Sequence, residues 1–514
     1  MSERAAANGS GPAPYNATTD LLERNLTPDR SGRPYLRTPD RIWTYDEVAA
    51  AANGAGAGLL SLGLERGDRI ILATRDRAEF VATFWGAIKA GIVPIPVAPM
   101  FSASDLHFIV TDSEARALVC DASSVKAARG AIEGTSVVCL LAESEAKPGT
   151  KLWSEVCGPP ASLEPAPTTE DDIALWLYTS GTTGLPKGVM HRQRHLRDAP
   201  QALATQVLEM TADDLVFSIS RMFFAYGLGN SVYLPAAHGA SVVVSHETPA
   251  IAAMLQNMIM EVQPTLLFGV PAFYRGFVGL PNVELPSSVR AVVSAGEALD
   301  VELFERFRQV LGLPVLDGLG STEALHHVTS NRPDDVVAGS AGRPLDGYAA
   351  EVRDREGEPL REGESGELWV RGPTTFAGYW RRPDLTARAY QDGWLRTGDR
   401  ARIVDGRVYH EGRLDDLVKL GGIWVAPSEI EDVLRGHPEV DDAAVVATDD
   451  GSGIPVLRAF VVSSEGGEDL PKELLRLCRR RLSTYKVPQF FSVVDELPRT
   501  PSGKLRRFLL REHA

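Results

Sequence analysis

The sequence predicts an α/β protein: a large N-terminal part built from α/β sheets with a β-rich subdomain, then a small α+β unit at the C-terminus. Three observations carry this. Apolar runs alternate with helical periodicity through most of the chain. After about Gly366 the pattern changes to short strands and tight turns. Beyond residues 412–416, strands and helices mix again over roughly 100 residues, an ordinary domain size.

Residues 1–14 are rich in Ala, Gly, Ser and Pro, lack the apolar centre of a signal peptide, and are expected to be flexible. Arg69-Ile70-Ile71-Leu72-Ala73 reads as a buried strand. Phe80, Phe84 and Ile88 then recur at helical spacing until Gly91 breaks the pattern. The same unit returns at 289–293, a buried-strand run followed by Ser294-Ala295-Gly296 and a helix-like stretch to Leu311. Val315 and Leu316 then lead into a glycine-rich turn. In the β-rich part, Glu367-Leu368-Trp369-Val370 reads as a strand and Val404-Asp405-Gly406-Arg407 as a hairpin turn. A helix opens at Pro427-Ser428-Glu429-Ile430-Glu431. There Ser428 and Glu431 have capping-box spacing, Ile430, Val433 and Leu434 form an apolar stripe, and Gly436 and Pro438 end the pattern. Strands over 443–447 and 456–462 and a helix over 470–482 complete the C-terminal unit.

At 514 residues the chain exceeds the size at which one core stops growing, so about two to four domains or subdomains are expected. With 44% hydrophobic and 24% charged residues, wholesale disorder is excluded. The net charge of −15, from 68 acidic and 53 basic residues, disfavours nonspecific nucleic-acid binding, so an anionic substrate needs its own local basic site. Cys120, Cys139, Cys157 and Cys478 form no CxxC pair, which points away from a disulfide framework or zinc site and fits a reducing cytoplasm. No run reaches the ~18 apolar residues that cross a bilayer.

The chemistry concentrates in a few strings. After the strand-like run 173–178 comes Thr179-Ser180-Gly181-Thr182-Thr183-Gly184-Leu185-Pro186-Lys187-Gly188. Exposed backbone N–H groups, hydroxyls and one lysine are what a polyphosphate needs. The string is not a Walker A loop, because Pro186 precedes Lys187 and Gly188 follows it, so a P-loop kinase or GTPase is disfavoured. A generic Gly/Thr stretch is ordinarily a flexible surface loop, an isolated Thr-Gly-Asp a turn, and a lone C-terminal lysine an exposed one. It is the ordered set that carries the reading.

The decapeptide resembles the signature of the acyl-adenylate-forming superfamily, and the resemblance extends from about Asp40 to Arg506. It implies an AMP-binding N-terminal domain over 15–414 and a mobile C-terminal domain over 415–514. By that resemblance, Thr179, Ser180, Gly181, Thr182, Thr183, Gly184 and Lys187 hold the ATP phosphates. The segment around Ala295, Gly296 and Glu297 contacts adenine, and Asp317, Gly318 and Leu319 also belong to the ATP/AMP site. Leu319 replaces the aromatic residue of many relatives, so packing on the base there is aliphatic. Thr322 is matched to an α-phosphate contact and Glu323 to a Mg²⁺ carboxylate. Asp399 in Thr397-Gly398-Asp399 is matched to a ribose clamp, and Arg413 to a nucleotide contact. Asp415 is matched to the inter-domain hinge, which falls at the boundary drawn from texture. Lys504 in Pro501-Ser502-Gly503-Lys504 is matched to the catalytic lysine.

The string Met222-Phe223-Phe224-Ala225-Tyr226-Gly227-Leu228-Gly229-Asn230, with Ser321-Thr322-Glu323-Ala324-Leu325-His326, is similar to benzoate-CoA ligases. Phe224 and Tyr226 offer flat apolar surface, and Ala225 and Gly227 leave room for a ring. Gly320 lines the same pocket, and His326 hydrogen-bonds a ring substituent or closes the site. Core aromatics and a structural histidine are the plain alternative. Ala324 stands where benzoate ligases usually carry a larger residue, and His327 adds a second imidazole, a hint of a hydroxy- or aminobenzoate.

The resemblance therefore implies a cytoplasmic, AMP-forming ligase that uses ATP, Mg²⁺ and coenzyme A to turn an aromatic carboxylic acid into its thioester through an aryl-AMP intermediate. Rotation about Asp415 then exchanges Lys504 for the segment with Gly421, Gly422 and Trp424, which opens a pantetheine channel. Two alternatives stay open: an aryl adenylating enzyme that loads a carrier protein, and an inert sensor that keeps the fold. Nucleic acid and membrane are not expected partners. The sequence does not fix the oligomeric state.

Overall fold

The computed structural model describes residues 13–142, 145–158, 161–179, 186–245, 252–414, 418–420, 423–425, 427–449, 455–464, 466–467, 469–482, 486–499 and 505–512. Two sheets rich in parallel strands organise the N-terminal part. One has the order Val93–Pro96, Arg69–Ala73, Ala117–Cys120, Val138–Leu141, Lys151–Leu152, with every pairing parallel. In the other, Val315–Gly320, Ala291–Ser294, Leu266–Gly269, Leu215–Ser218 and Ser241–Val243 run parallel side by side. Parallel strands are covered on both faces, which is why they read in the sequence as unbroken apolar runs. Ile70, Ile71 and Leu72 are all fully buried.

The helices Tyr45–Ser61 and Ala78–Lys89 lie in the core cluster that joins the facing sides of the two sheets. Phe80, Phe84 and Trp85 are fully buried in it. The two helices approach so closely that a Cβ on Gly86 would stand 2.2 Å from the Ala52 carbonyl oxygen.

The glycine-rich turn expected after Leu316 is instead strand. Val315–Gly320 continues to Gly320, and His327–Ser330 folds back antiparallel beside it with a register shift between Leu319 and Gly320. This strand pair carries much of the candidate site. The β-rich sheet begins earlier than Gly366, at Ala349–Arg353, and adds Gly366–Arg371, Trp394–Val404, Tyr390–Gln391 and Arg407–Arg413. Its expected hairpin is present: Asp405 (φ 49°) and Gly406 (φ 72°) give the two left-handed positions a type I′ turn requires.

In the C-terminal unit, Asp442–Asp449 pairs antiparallel with Pro455–Val462, which pairs parallel with Phe490–Val494. The helices Pro427–Arg435 and Leu470–Arg481 share a core with this sheet. The capping-box expectation fails. Ser428 lies inside a helix that opens on Pro427, and Glu431 accepts from the Val445 N–H at 2.8 Å and, on its two oxygens, from Arg507 Nη2 at 2.7 and 2.8 Å. Buried among strand and helix, that carboxylate serves tertiary contacts rather than its own helix start. No helix of the described residues is long and apolar enough to cross a membrane.

Candidate active site

Ile173–Thr179 and Lys187–Arg192 are antiparallel with Thr179 opposite Lys187, so the glycine-rich string connects a hairpin whose two ends are tied by the strand ladder. Ser180, Gly181, Thr182, Thr183 and Gly184 lie outside the described residues. The Lys187 ammonium sits 4.3 Å from the centroid of the Tyr379 ring, within cation–π range. The Tyr379 hydroxyl donates to Glu323 Oε1 at 2.8 Å. Burial and the neighbouring carboxylate push the phenol upward, so it stays a donor. One aromatic residue thus touches both the loop lysine and the acidic residue of the Ser-Thr-Glu turn.

That turn is a single 3₁₀ turn, Thr322–Ala324, capped by Ser321, whose hydroxyl accepts from the Ala324 N–H. Its carbonyls are held from outside. Thr322 O accepts from His191 Nε2 at 2.8 Å, Glu323 O from the Phe376 N–H at 2.8 Å, and Ala324 O from the Thr374 hydroxyl at 2.6 Å. Burial pushes His191 down to about 4, so the ring is neutral and donates through a single N–H. Leu325 follows at φ 67°, a backbone state that costs a non-glycine residue on the order of 1–3 kcal/mol and that clusters at functional sites. It turns the chain from Thr322 and Glu323 to His326 and His327.

At the segment expected to meet the nucleotide, Ala291–Ser294 ends on Ala295 and Gly296, with Gly296 at φ 94°. Ser294 is directly opposite Asp317 in the parallel register. Both are buried, and Asp317 Oδ1 has no hydrogen-bond partner among the described residues. Burial pushes the Asp317 carboxyl up to about 8, only partly opposed by the Ser294 hydroxyl and the Leu299 and Gly318 N–H groups. Leu319 is half-buried beside the core of the β-rich sheet. Glu297, raised by burial, lies 3.7 Å from Arg499 of the C-terminal unit, which also bonds Asp442. Arg499 is close in sequence to Lys504, itself outside the described residues.

Asp399 and Arg413 face each other across the strands Trp394–Val404 and Arg407–Arg413. Asp399 Oδ1 accepts from Arg413 Nη1 at 2.9 Å and from His410 Nε2 at 3.3 Å. Burial alone would raise this carboxyl. The hydrogen bond from His410 and the charge of Arg413 hold it well below the usual carboxylate range.

The residues expected to form an acid pocket are arranged differently in part from expectation. Phe224 packs edge-on against the buried Phe223, with centroids 4.6 Å apart, and leads into the short helix Ala225–Leu228. Tyr226 lies 5.7 Å from His326 and 5.5 Å from His327 between ring centroids, and its hydroxyl donates to the Val293 carbonyl. Gly227 does not make room for a ring: a Cβ there would stand 2.0 Å from the Arg221 carbonyl oxygen, so backbone takes up that space. Gly229 instead clears the His326 ring, 2.3 Å from its ideal Cβ position, and Gly320 clears the His326 carbonyl at the same distance. His326 is buried, neutral, and bonded to Asn230 Oδ1 at 3.1 Å.

Asp415, Gly421 and Gly422 lie outside the described residues, and Trp424 is described only as part of the backbone strand Ile423–Val425. Sequence reasoning missed Tyr379, His191, His410 and Asn230, each joined to a candidate residue by a contact distant in sequence. Asn230 was within a quoted string, and its position one turn from Tyr226 was the available signal. No cluster of three or more His, Cys, Asp or Glu suited to a metal occurs among the described residues.

Residues 23–380 match the AMP-binding enzyme family, and residues 429–504 match the AMP-binding enzyme C-terminal domain. The chain is 37% identical to a benzoate–CoA ligase of Thauera aromatica over 97% of this chain and 96% of that one. It is 36% identical to a 4-hydroxybenzoate–CoA/benzoate–CoA ligase of Rhodopseudomonas palustris, over 97% and 94%. A benzoate CoA ligase from Burkholderia xenovorans LB400 superposes with a TM-score of 0.89 at 34% identity, covering 97% of this chain and 100% of that one. The fold, the ordered site strings and these full-length similarities agree: the chain belongs to the AMP-binding enzyme family.

Proposed function

We propose that this protein is an ATP-dependent, AMP-forming acid–thiol ligase that converts an aromatic carboxylic acid into its coenzyme A thioester. The observation that carries the reading is the junction at Leu325. One short turn presents Thr322 and Glu323 beside Lys187 on one side, and His326 beside Tyr226 on the other. The groups proposed to handle phosphate and those proposed to hold the aryl ring thus flank one turn.

In the first half-reaction a carboxylate oxygen of the acid attacks the α-phosphorus of ATP in line, and pyrophosphate leaves. Thr322, the loop from Thr179 to Lys187 and Lys504 stabilise the charge that builds on the phosphate oxygens. Asp399 binds the ribose hydroxyls. Asp317 Oδ1, buried and without a hydrogen-bond partner among the described residues, suits the polar edge of adenine, since buried polar atoms in folded proteins are normally paired.

Mg²⁺ fits the residues present. A single hard carboxylate, Glu323, oriented by Tyr379 and without a competing ion pair among the described residues, is the kind of ligand a Mg²⁺ held mainly by phosphates and water takes. Bound there, the ion supplies charge neutralisation at the phosphates.

In the second half-reaction the pantetheine sulfur attacks the aryl-AMP carbonyl, AMP leaves, and the acid is released as its thioester. A rotation at Asp415 of the C-terminal domain, residues 415–514, against residues 15–414 replaces Lys504 by the segment with Gly421, Gly422 and Trp424. Lys504→Ala tests this division. Acid-dependent pyrophosphate release should fall by on the order of 10²-fold or more, while thioester formation from supplied aryl-AMP persists. Equal loss of both half-reactions refutes it. Coenzyme A and a holo carrier protein both present a pantetheine arm. AMP release measured with each identifies the acceptor.

A further inference from the structure

The C-terminal unit meets the N-terminal part along a seam of alternating charge beside Glu297. On the N-terminal side, Arg275 pairs with one oxygen of Asp300, whose other oxygen accepts from the Leu303 N–H at 2.7 Å and so caps the helix Val301–Leu311. On the C-terminal side, Arg435 lies 3.9 Å from Asp442 and also pairs with Asp432. The two sides touch: a Cβ on Gly436 would stand 3.4 Å from Glu302 Oε2, and the charges of Asp300 and Arg275 reach Asp432.

An ion pair spans this seam. Arg499 Nη1 lies 3.7 Å from Glu297 Oε1, while Nη2 bonds Asp442 at the start of the strand Asp442–Asp449. The carboxylate on its own unit thus aims the guanidinium, and Glu297 receives it. Arg499 stands at the base of a narrow stem. It bridges Leu505 in antiparallel register, and the Arg506 N–H donates to the Pro498 carbonyl at 2.8 Å. Leu497 and Leu505, one on each side of the stem, pack with Ala444, Val446 and Phe460 of the C-terminal sheet. Lys504 is the sequence neighbour of Leu505, so whatever fixes the stem against the N-terminal part also fixes the point from which Lys504 departs.

We infer that Arg499 is a positioning residue for the adenylation step: its ion pair with Glu297 fastens the stem that leads to Lys504 onto the segment expected to meet adenine, and favours the orientation in which pyrophosphate is released. The inference rests on the ligase reading above. An interaction made in one orientation alone shifts the balance toward it by the energy of that interaction. With side chains 30% and 33% exposed, the pair is screened by solvent and changes the balance by about threefold.

The test is a double-mutant cycle of wild type, Arg499→Ala, Glu297→Gln and the double variant. Both half-reactions are assayed with whichever of benzoate and its hydroxy and amino derivatives the wild type turns over fastest. In acid-dependent ATP–pyrophosphate exchange, Arg499→Ala should lower kcat by about threefold and leave the KM for ATP unchanged. Glu297→Gln should lower kcat as well, and the double variant should be no slower than the slower single, a coupling of about threefold. Arg499→Lys, which keeps the charge, should restore most of the rate. Thioester formation from supplied aryl-AMP should hold or rise in Arg499→Ala. An unchanged exchange kcat in Arg499→Ala overturns the inference, as do additive losses in the cycle. Equal loss in both half-reactions overturns it too and assigns Arg499 to the fold. Where Arg499→Ala does not fold, Arg499→Gln takes its place in the cycle. A wild type that shows no exchange with any of these acids overturns the aryl-acid reading together with the inference, whereas wild-type exchange with additive single losses overturns the inference alone.

Discussion

Asp399 and Asp317 meet nearly the same desolvation, at 6% and 7% exposed, and end in opposite protonation states. Asp399 has a guanidinium and an imidazole on one oxygen and is held well below the ordinary carboxylate range. Asp317 has a hydroxyl and two amides nearby, keeps one oxygen without a partner, and is pushed up to about 8. Burial sets the size of the penalty, and the partner set decides whether the charge survives it. The contrast extends to the regions around them. The proposed ribose side is an ionised pair, whereas the proposed acid side, with His326 and His327, is uncharged at neutral pH.

The strongest way to break the contrast is to remove the charge from the clamp. Asp399→Asn keeps the shape and loses the charge-assisted hydrogen bonds, each worth about 1.5–3 kcal/mol. The KM for ATP in pyrophosphate exchange should rise by roughly 10- to 100-fold with a smaller change in kcat. An unchanged KM means that Asp399 only anchors Arg413. Tyr379→Phe is milder. It keeps the ring beneath Lys187 and drops the donor to Glu323, so half-maximal exchange should need about tenfold more Mg²⁺. Thioester formation from supplied aryl-AMP should not change. A loss in both half-reactions would assign Tyr379 to the fold instead.

What could be read from the sequence follows the range of the interactions. The strand Arg69–Ala73, the helix Ala78–Lys89 and the hairpin at Asp405 and Gly406 depend on local periodicity and turn chemistry, and each stands where the sequence puts it. Thr322, Glu323, Asp399 and Arg413 were found because they sit in contiguous strings, and the fold joins Asp399 to Arg413 by a strand pairing. Tyr379 is 56 residues from Glu323, and His191 is 131 residues from Thr322, so their contacts exist only once sheets have formed. Spacing misled where a local rule lost to tertiary contacts. Glu431 turned to Val445 and Arg507, and the space beside Gly227 was filled by the Arg221 backbone.

The mildest perturbation acts on the neutral partner of the comparison and needs no substrate. An acid whose pKa in the fold is raised above its unfolded value destabilises the native state as pH rises between the two, because the unfolded chain releases a proton that the native state keeps. For Asp317 that loss begins near the unfolded value of about 3.9 and levels off above about 8. Asp317→Asn preserves the size of the side chain and cannot titrate. The variant's thermal midpoint relative to the wild type should therefore be higher at pH 8 than at pH 6, by about 2–4 °C, in ligand-free protein followed by calorimetry. A difference that is the same at both pH values would mean that Asp317 is ionised throughout, in which case an unpaired oxygen and two amides suffice to hold a buried charge and the partner rule drawn from Asp399 fails here.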